Sequence, residues 1–160
     1  MMMYDPQYKL SRHFMLSELT RTDHRDFIDI NHGEAMKYYT NLVNLCELVL
    51  EPIREITGAI IINSGFRCRK VNELIGGSPT SQHMLGEAAD TTYTNGFPLN
   101  EVYNEIAWAK IPFSQIILEF GQWIHVGLID MENFPNRSGQ RLIATRINGV
   151  TVYNNVIRPL

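Results

Sequence analysis

The sequence predicts a single α+β domain, in which a long N-terminal helix packs against a central, mainly antiparallel sheet. Two observations support this prediction: apolar residues recur at helical spacing from Glu34 to Thr57, and short β-branched or alternating runs follow them. A chain of 160 residues is long enough for one domain with a complete hydrophobic core. We therefore expect one domain over residues 1–160, with its core at about 10–130 and a C-terminal hairpin at 135–160 as an extension.

The long helix is the first major element, and two neighbouring apolar rows predict it. Pro52 should kink or restart it, because proline lacks the amide hydrogen that a helix interior uses. Gly58 marks its end, and Asn31-His32-Gly33 marks a break before it. The wide apolar face is typical of a central buried helix, and its two rows are Met36, Tyr39, Val43, Cys46 and Leu50, and Leu42, Leu45, Val49 and Ile53.

Strands and shorter helices follow along the chain. An Asn148-Gly149 pair between two strand-like runs is a strong hairpin signal, and a second hairpin is predicted around Gly121-Gln122. The predicted elements are a buried strand, a short helix, a second amphipathic helix and the two hairpins, at Ala59–Asn63, Val71–Ile75, Leu99–Lys110, Gln115–Leu128 and Arg141–Tyr153. A helix followed by mainly antiparallel strands is the α+β order.

Composition and charge exclude several classes of protein. The formal net charge is −3, so we expect neither a strongly basic duplex-binding protein nor a nucleic-acid partner. No apolar run approaches the roughly 20 residues that a membrane-spanning helix needs. Cys46 and Cys68 cannot form a disulfide framework, and we expect both to be free. Met1–Leu10 has no secretory-signal pattern, so we expect synthesis in a cytoplasm without a signal peptide.

The segment Ser81–Asp90 contains a histidine and a carboxylate at a spacing that permits a shared metal ion. On a continuous helix, His83 and Asp90 would be about 10.5 Å apart along the axis, which is too far to share one ion. Gly86 allows the chain to turn between them, and Asp90 begins a β-prone stretch. The two side chains can therefore converge from a loop and the start of a strand.

His125 lies in an alternating strand and adds a second imidazole. Apolar residues of this strand take the core face, so Trp123 and His125 take the opposite face. His83, Asp90 and His125 would form the three-ligand set of a catalytic zinc (Zn2+) site, with a fourth position for water. Zinc activates such a water molecule and polarises a carbonyl, and Arg67, just after the predicted central strand, can stabilise the oxyanion. The alternatives are a histidine packed in the sheet and a solvated arginine, in a structural domain without zinc.

Four segments of the sequence together resemble one family of enzymes. Their most specific part is Ser-x-His-x-x-Gly-x-Ala-x-Asp followed by Trp-x-His, and they comprise Ser64–Arg67, Gly76–Ser78, Ser81–Asp90 and Trp123–Val126. Over roughly residues 10–130 the chain is similar to the M15 zinc peptidases, which include D-alanyl-D-alanine carboxypeptidases, dipeptidases and phage peptidoglycan endopeptidases. The resemblance is greatest to the small, phage-rich branch of that family.

The resemblance implies both a fold and a set of site residues. The implied fold is that of hedgehog and D-Ala-D-Ala peptidase domains. The implied zinc ligands are His83, Asp90 and His125. Arg67 would bind a substrate carbonyl or oxyanion, Ser81 would support the metal loop beside the substrate, and we expect Trp123 at the floor of the substrate-binding site.

The catalytic carboxylate is the position at which this sequence departs from better characterised members. Their carboxylate lies three residues before the last histidine, where this sequence has Gln122, which cannot act as a base. Glu119, six residues before that histidine, is the substitute. A two-residue hairpin loop would point Glu119 into the core, whereas a three-residue loop pairs it with Trp123, on the face of His125. A buried unpaired glutamate is costly, so we expect the three-residue loop.

Two functions remain open from the sequence. The first is a monomeric zinc metallopeptidase that hydrolyses peptidoglycan stem peptides, as a D-Ala-D-Ala carboxypeptidase or an L-Ala-D-Glu endopeptidase, in phage lysis or wall entry. Glu119 would be its base and Arg67 its oxyanion residue, while Glu87 would support the loop or be exposed. The alternative, which Gln122 favours, is a non-catalytic, zinc-containing peptidoglycan-binding or virion structural module. Either would act at the cell wall, in the periplasm or as a virion component.

Overall fold

Most of the chain between Leu16 and the first strand is helical, in a computed structural model that describes residues 3–160. Short 3-10 turns and one π-helical turn join most of its helices into one nearly continuous region, and Gly58 ends that region with a φ of 79°. Helices α1–α6 occupy Leu16–Thr20, Ile28–Ala35, Tyr39–Leu45, Glu51–Thr57, Arg69–Leu74 and Leu99–Ala107. The long helix that the sequence predicts is therefore present.

The helix geometry changes just before Pro52, where the sequence predicts a kink or a restart. A π-helical turn at Cys46–Leu50 precedes α4, which contains this proline in its first turn. Both apolar rows still face inward, and their fully buried members are Leu42, Leu45, Cys46, Val49, Leu50 and Ile53. Cys46 and Cys68 are buried and free, as expected.

The break predicted at Asn31-His32-Gly33 is wrong, because these residues lie inside α2. The buried Asn31 side chain bonds to distant backbone groups and does not form a local turn. Its amide nitrogen donates to the carbonyl oxygens of Thr20 and Phe66 at 2.8 and 3.3 Å. Its oxygen accepts from the backbone nitrogen of Cys68 at 2.7 Å. These bonds connect α2 to the loop before α5, which carries Arg67.

Six strands form one mixed sheet in the order β1-β2-β4-β3-β5-β6. The strands β1–β6 are Ile60–Ser64, Ala88–Tyr93, Phe113–Glu119, Trp123–Leu128, Gln140–Ile147 and Val150–Asn155. The neighbouring strands are antiparallel except β3 and β5, which run parallel. The helices cover one face of the sheet, where the core includes Tyr103, Ile106, Ile116, Ile124 and Val126. The α+β prediction is confirmed, and the parallel pair is an addition to it.

Both hairpins turn where the sequence predicts. Between β5 and β6, Asn148 and Gly149 have φ values of 51° and 81°, the two positive angles that a tight two-residue hairpin turn requires. Between β3 and β4 the loop has three residues, and Glu119 pairs with Trp123. The expected register is confirmed, so Glu119 shares a sheet face with His125.

The N-terminal segment Met1–Leu10 begins outside the described part of the chain, since its first two residues are not included. Within residues 3–160, no helix combines the length and the apolar character needed to cross a bilayer. Inside the described part of the segment, Tyr4 donates or accepts a hydrogen bond with Thr20 of α1 at 3.0 Å. This bond joins Tyr4 to the helical region.

Candidate metal centre and active site

Three side chains from separate elements converge at one point of the sheet. The Nε2 atom of His83 lies 3.2 Å from Oδ1 of Asp90 and 3.2 Å from Nδ1 of His125. His125 Nδ1 and Asp90 Oδ1 are 3.0 Å apart. All three residues are buried. The structure thus brings together the three residues that the sequence predicts as one set.

Local structure explains how residues seven positions apart in the chain meet. His83 lies in a 3-10 turn that Ser81 caps, with the Ser81 hydroxyl accepting from the His83 backbone nitrogen at 3.3 Å. Gly86 ends this turn with a φ of 69°, a left-handed conformation that glycine adopts without strain. The chain then enters β2, where Asp90 pairs with His125 of β4. Asp90 and His125 share a sheet face, and His83 reaches them from the turn.

A backbone carbonyl fixes the orientation of the His83 ring. Its Nδ1 lies 2.7 Å from the carbonyl oxygen of Gly65, which can only accept, so Nδ1 carries the hydrogen and Nε2 presents a lone pair. Gly65 is required there because a Cβ would lie 2.3 Å from the carbonyl oxygen of Leu19. An imidazole held by a carbonyl on its far nitrogen is the usual arrangement of a metal-ligating histidine.

The charges in this cluster favour an ionised aspartate beside a neutral histidine. Burial alone would raise the pKa of Asp90, yet its neighbours in the cluster hold that pKa well below its usual range. Burial lowers the pKa of His83 by more than the neighbouring Asp90 raises it. Both shifts keep the lone pairs that a metal ligand needs available at neutral pH.

The donor set fits zinc. One carboxylate oxygen and two imidazole nitrogens face one another, and a cation between them would stabilise their lone pairs. Tetrahedral zinc with bonds of about 2.0–2.1 Å spaces its ligand atoms by about 3.3 Å, close to the 3.0–3.2 Å between these atoms. Three protein ligands beside an open cavity are typical of a catalytic zinc site.

A cavity of about 720 Å³ lies over the cluster, a volume within the usual range for small-ligand sites. All the residues that the sequence predicts for the site line it, namely Arg67, Ser81, His83, Asp90, Glu119, Trp123 and His125. Gln122 is exposed in the β3–β4 loop and does not line this cavity. The carboxylate available to the cavity beside the cluster is therefore Glu119.

Arg67 reaches the cluster but is bonded to one of its members. Its Nη2 donates to Oδ2 of Asp90, the carboxylate oxygen that does not face the histidines. Its Nε donates to the Ser64 hydroxyl at 2.8 Å, and its backbone nitrogen donates to the His83 carbonyl oxygen at 3.1 Å. Ser64 follows an irregularity in the pairing of β1, of the kind that redirects side chains next to sites. Arg67 therefore orients Asp90 as well as lining the cavity.

Glu119 lies beside the cluster on the cavity face. Burial raises the pKa of its carboxyl, and the nearby His125 and Arg67 offset part of this rise. The buried Nε1 of Trp123 lies close enough to favour the charged form of Glu119. Within residues 3–160, that Nε1 makes no hydrogen bond of normal geometry.

A buried polar network behind the ligand turn is absent from the sequence predictions. Gln82 donates to a β4 carbonyl oxygen at 2.9 Å and accepts from the Ser114 hydroxyl at 2.9 Å. Gln82 also donates to the buried Glu87 at 3.4 Å, and burial raises the pKa of Glu87 to about 7. Gly127 leaves space for this network, since a Cβ there would lie 2.4 Å from the Ser114 hydroxyl. The one feature of the sequence that could have indicated a role for Gln82 is its position beside His83.

The β5–β6 hairpin also lines the cavity, which the sequence does not predict. Its contributing residues are Leu142, Arg146, Thr151 and Tyr153. They reach the cavity because β5 pairs in parallel with β3, the strand that carries Glu119. No local pattern in the sequence signals that pairing.

Comparison with known proteins agrees with the geometry of the site. A search of curated proteins found no match. The model of the family Peptidase M15 matches residues 12–127, which include the three-residue cluster, Arg67 and Glu119. The match covers well over half of the chain and contains the motifs that resemble this family. The chain therefore belongs to the Peptidase M15 family.

Proposed function

We propose that the protein is a zinc-dependent peptidase that hydrolyses peptide bonds in the stem peptides of bacterial peptidoglycan. The observation that carries the proposal is the convergence of His83, Asp90 and His125 beside Glu119 on one cavity face. Membership of a peptidase family supports hydrolysis of a peptide bond. Zinc held by these three residues would polarise the scissile carbonyl and activate a water molecule.

Glu119 is the general base in this proposal. It shares a sheet face with His125, and burial raises its pKa, so it holds a transferred proton more readily than an exposed glutamate does. The positive charge of Arg67 favours the ionised form before reaction. Glu119 would take a proton from the attacking water and return it to the leaving amine.

Arg67 and two neighbours complete the proposed site. The Arg67 guanidinium orients Asp90 and lines the cavity, where its charge would stabilise an oxyanion on the substrate. Ser81 caps the turn that carries His83, and Trp123 lines the cavity. Both would contact the bound peptide.

Peptidoglycan is the proposed substrate because the motifs resemble the phage-rich branch of the family. The scissile bond would be D-Ala-D-Ala or L-Ala-D-Glu. We propose a role in lysis or wall entry, with a monomer acting at the cell wall, in the periplasm or within a virion.

Digestion of purified peptidoglycan, analysed by mass spectrometry, tests this function. The zinc-loaded protein should release fragments that identify one cleaved bond, and chelation should stop the release until zinc is restored. His125→Ala should lose both zinc and activity, because two remaining ligands hold the metal poorly. Protein that binds zinc but cleaves no type of peptidoglycan would contradict the proposal and support a binding module.

The binding-module alternative rests on Gln122, and the position of that residue weakens it. Gln122 is exposed in the β3–β4 loop, whereas Glu119 lines the cavity. A carboxylate in the cavity beside three candidate ligands is what hydrolysis requires and what binding alone does not. This difference favours the enzyme.

A further inference from the structure

The β5–β6 hairpin forms a wall of the cavity that the family match does not include. The match ends at residue 127, and the hairpin spans 140–155. Arg146 and Tyr153 of the hairpin nevertheless line the same cavity as Glu119 and the ligand cluster. The family motifs therefore do not account for this wall of the cavity.

Strand register explains how Tyr153 reaches the site. Glu119 pairs with Ala144 on β5, and Ala144 pairs with Tyr153 on β6, so the three residues form one row across the sheet. The small Ala144 in the middle of this row leaves space for the two longer side chains to lean toward each other. Burial, Glu119 and Asp90 all raise the pKa of Tyr153, so its hydroxyl stays protonated and remains a donor.

Arg146 lies on the same face as Tyr153 and is held by an aromatic ring. Arg146 pairs with Thr151, which makes Arg146 and Tyr153 diagonal neighbours, at a distance that long side chains bridge. The Arg146 guanidinium carbon lies 5.3 Å from the centre of the Phe120 ring. Phe120 has a φ of 55°, a left-handed conformation that is costly for a non-glycine residue and common at functional sites.

The charge of the cavity differs in sign from that of the whole chain. The formal net charge of the protein is −3. The cavity lining, in contrast, contains three arginines against two carboxylates, namely Arg67, Arg137 and Arg146 against Asp90 and Glu119. A bound divalent cation would increase this positive excess. An acidic protein with a positive cavity is suited to an anionic ligand.

We propose that Arg146 and Tyr153 form a subsite that binds a carboxylate group of the peptide substrate, so that the hairpin selects anionic peptides. A guanidinium fork and a phenol hydroxyl on one face provide several donors to a single carboxylate. That the ligand is a peptide rests on the proposed function, whereas the carboxylate preference rests on the hairpin. The carboxylates of a stem peptide include the terminal one and the α-carboxylate of D-Glu, and these two are tested below.

Binding measurements test this subsite without turnover. Zinc-loaded Glu119→Gln protein is titrated by calorimetry with two pairs of peptides. The first pair is N-acetyl-D-Ala-D-Ala and its C-terminal amide. The second is N-acetyl-L-Ala-D-Glu with its γ-carboxyl amidated and its α-carboxylate free or amidated. In one of the two pairs, the free acid should bind at least about tenfold more tightly than the amide. The pair that shows this difference identifies the carboxylate that the subsite binds.

Variants of the hairpin locate the source of this preference. Arg146→Gln should abolish it, and Tyr153→Phe should reduce it severalfold. Arg158→Gln is the matched control, because Arg158 is exposed and does not line the cavity, and it should leave the preference intact. The proposal is overturned if no peptide binds, if neither pair discriminates, or if the preference survives Arg146→Gln. Wild-type protein that digests no peptidoglycan while keeping an Arg146-dependent preference would overturn the proposed function and leave the subsite standing.

Discussion

At the scale of single residues, His83 and Asp90 of the candidate site have partners that restrict their roles. The His83 ring has one nitrogen on the Gly65 carbonyl oxygen, so its other nitrogen faces the cluster. Asp90 divides its two oxygens between the histidines and Arg67. Because the ligands and the proposed base contact different neighbours, substitutions should separate metal binding from proton transfer.

Glu119→Gln should preserve folding and zinc content, because glutamine is nearly isosteric and the three candidate ligands are unchanged. Peptidoglycan hydrolysis should fall by about 100-fold or more, the usual size of a general-base contribution. Gln122→Glu is the matched control, and in the Glu119→Gln background it should not restore activity, because residue 122 lies outside the cavity lining. Full activity in Glu119→Gln, measured by release of soluble fragments, would remove Glu119 from the mechanism.

Arg67→Ala should weaken zinc binding as well as turnover, since the guanidinium bonds to Asp90. Loss of a residue that orients a metal ligand lowers metal affinity by about 10- to 100-fold. Competition with a chromogenic chelator measures this affinity, and Arg69→Ala serves as the control because Arg69 is exposed on the neighbouring helix. Unchanged zinc affinity in Arg67→Ala would show that Arg67 does not position Asp90.

At the scale of elements, a short sequence pattern predicts those parts of the fold that interactions between nearby residues determine. The β3–β4 register was predictable because the other register would bury the charge of Glu119. The position of Asn31 inside a helix was not predictable, because its partners Thr20 and Cys68 lie 11 and 37 residues away along the chain. The approach of Arg146 to the cavity was not predictable either, because it depends on the parallel pairing of β3 with β5, which are not consecutive strands.

The bonds of Asn31 to the loop before α5 predict a large stability effect. Asn31→Ala leaves a buried backbone N–H and two buried carbonyl oxygens without this partner, so the free energy of unfolding should fall by about 2–4 kcal/mol. Urea denaturation measures the change. Asn154→Ala, at an exposed position of β6, should change it by less than about 0.5 kcal/mol. Equal effects of the two substitutions would contradict this account of α2.

At the scale of the whole molecule, buried carboxyl groups make stability depend on pH with opposite signs. The low pKa of Asp90 contributes stability that is present above its usual pKa and is lost as the pH falls. Burial of Glu87 raises its pKa from 4.5 to about 7, so the folded protein holds a proton that the unfolded chain releases. The contribution of Glu87 to stability therefore decreases as the pH rises from 4.5 to about 7.

Glu87→Gln should remove this decrease, because glutamine resembles the protonated carboxyl at every pH. Relative to the parent, the variant should gain on the order of 2 kcal/mol in unfolding free energy between about pH 5 and pH 8. Urea denaturation of the chelated proteins at both pH values measures this gain. Glu105→Gln, on the exposed face of α6, should show no such gain, and an identical pH slope in parent and Glu87→Gln would refute the role of Glu87.

The parallel pairing of β5 with β3 also determines the order in which the parts of the cavity form during synthesis. The ribosome makes β1–β4, with all three candidate ligands, before it makes the β5–β6 hairpin. Until β5 docks, β3 is an edge strand with unpaired backbone groups, and the cavity lacks one wall. We therefore expect a growing chain to bring its three candidate ligands together early and to complete the wall of the cavity late. A cell that produces the protein would thus hold chains with an incomplete cavity until the hairpin has been synthesised.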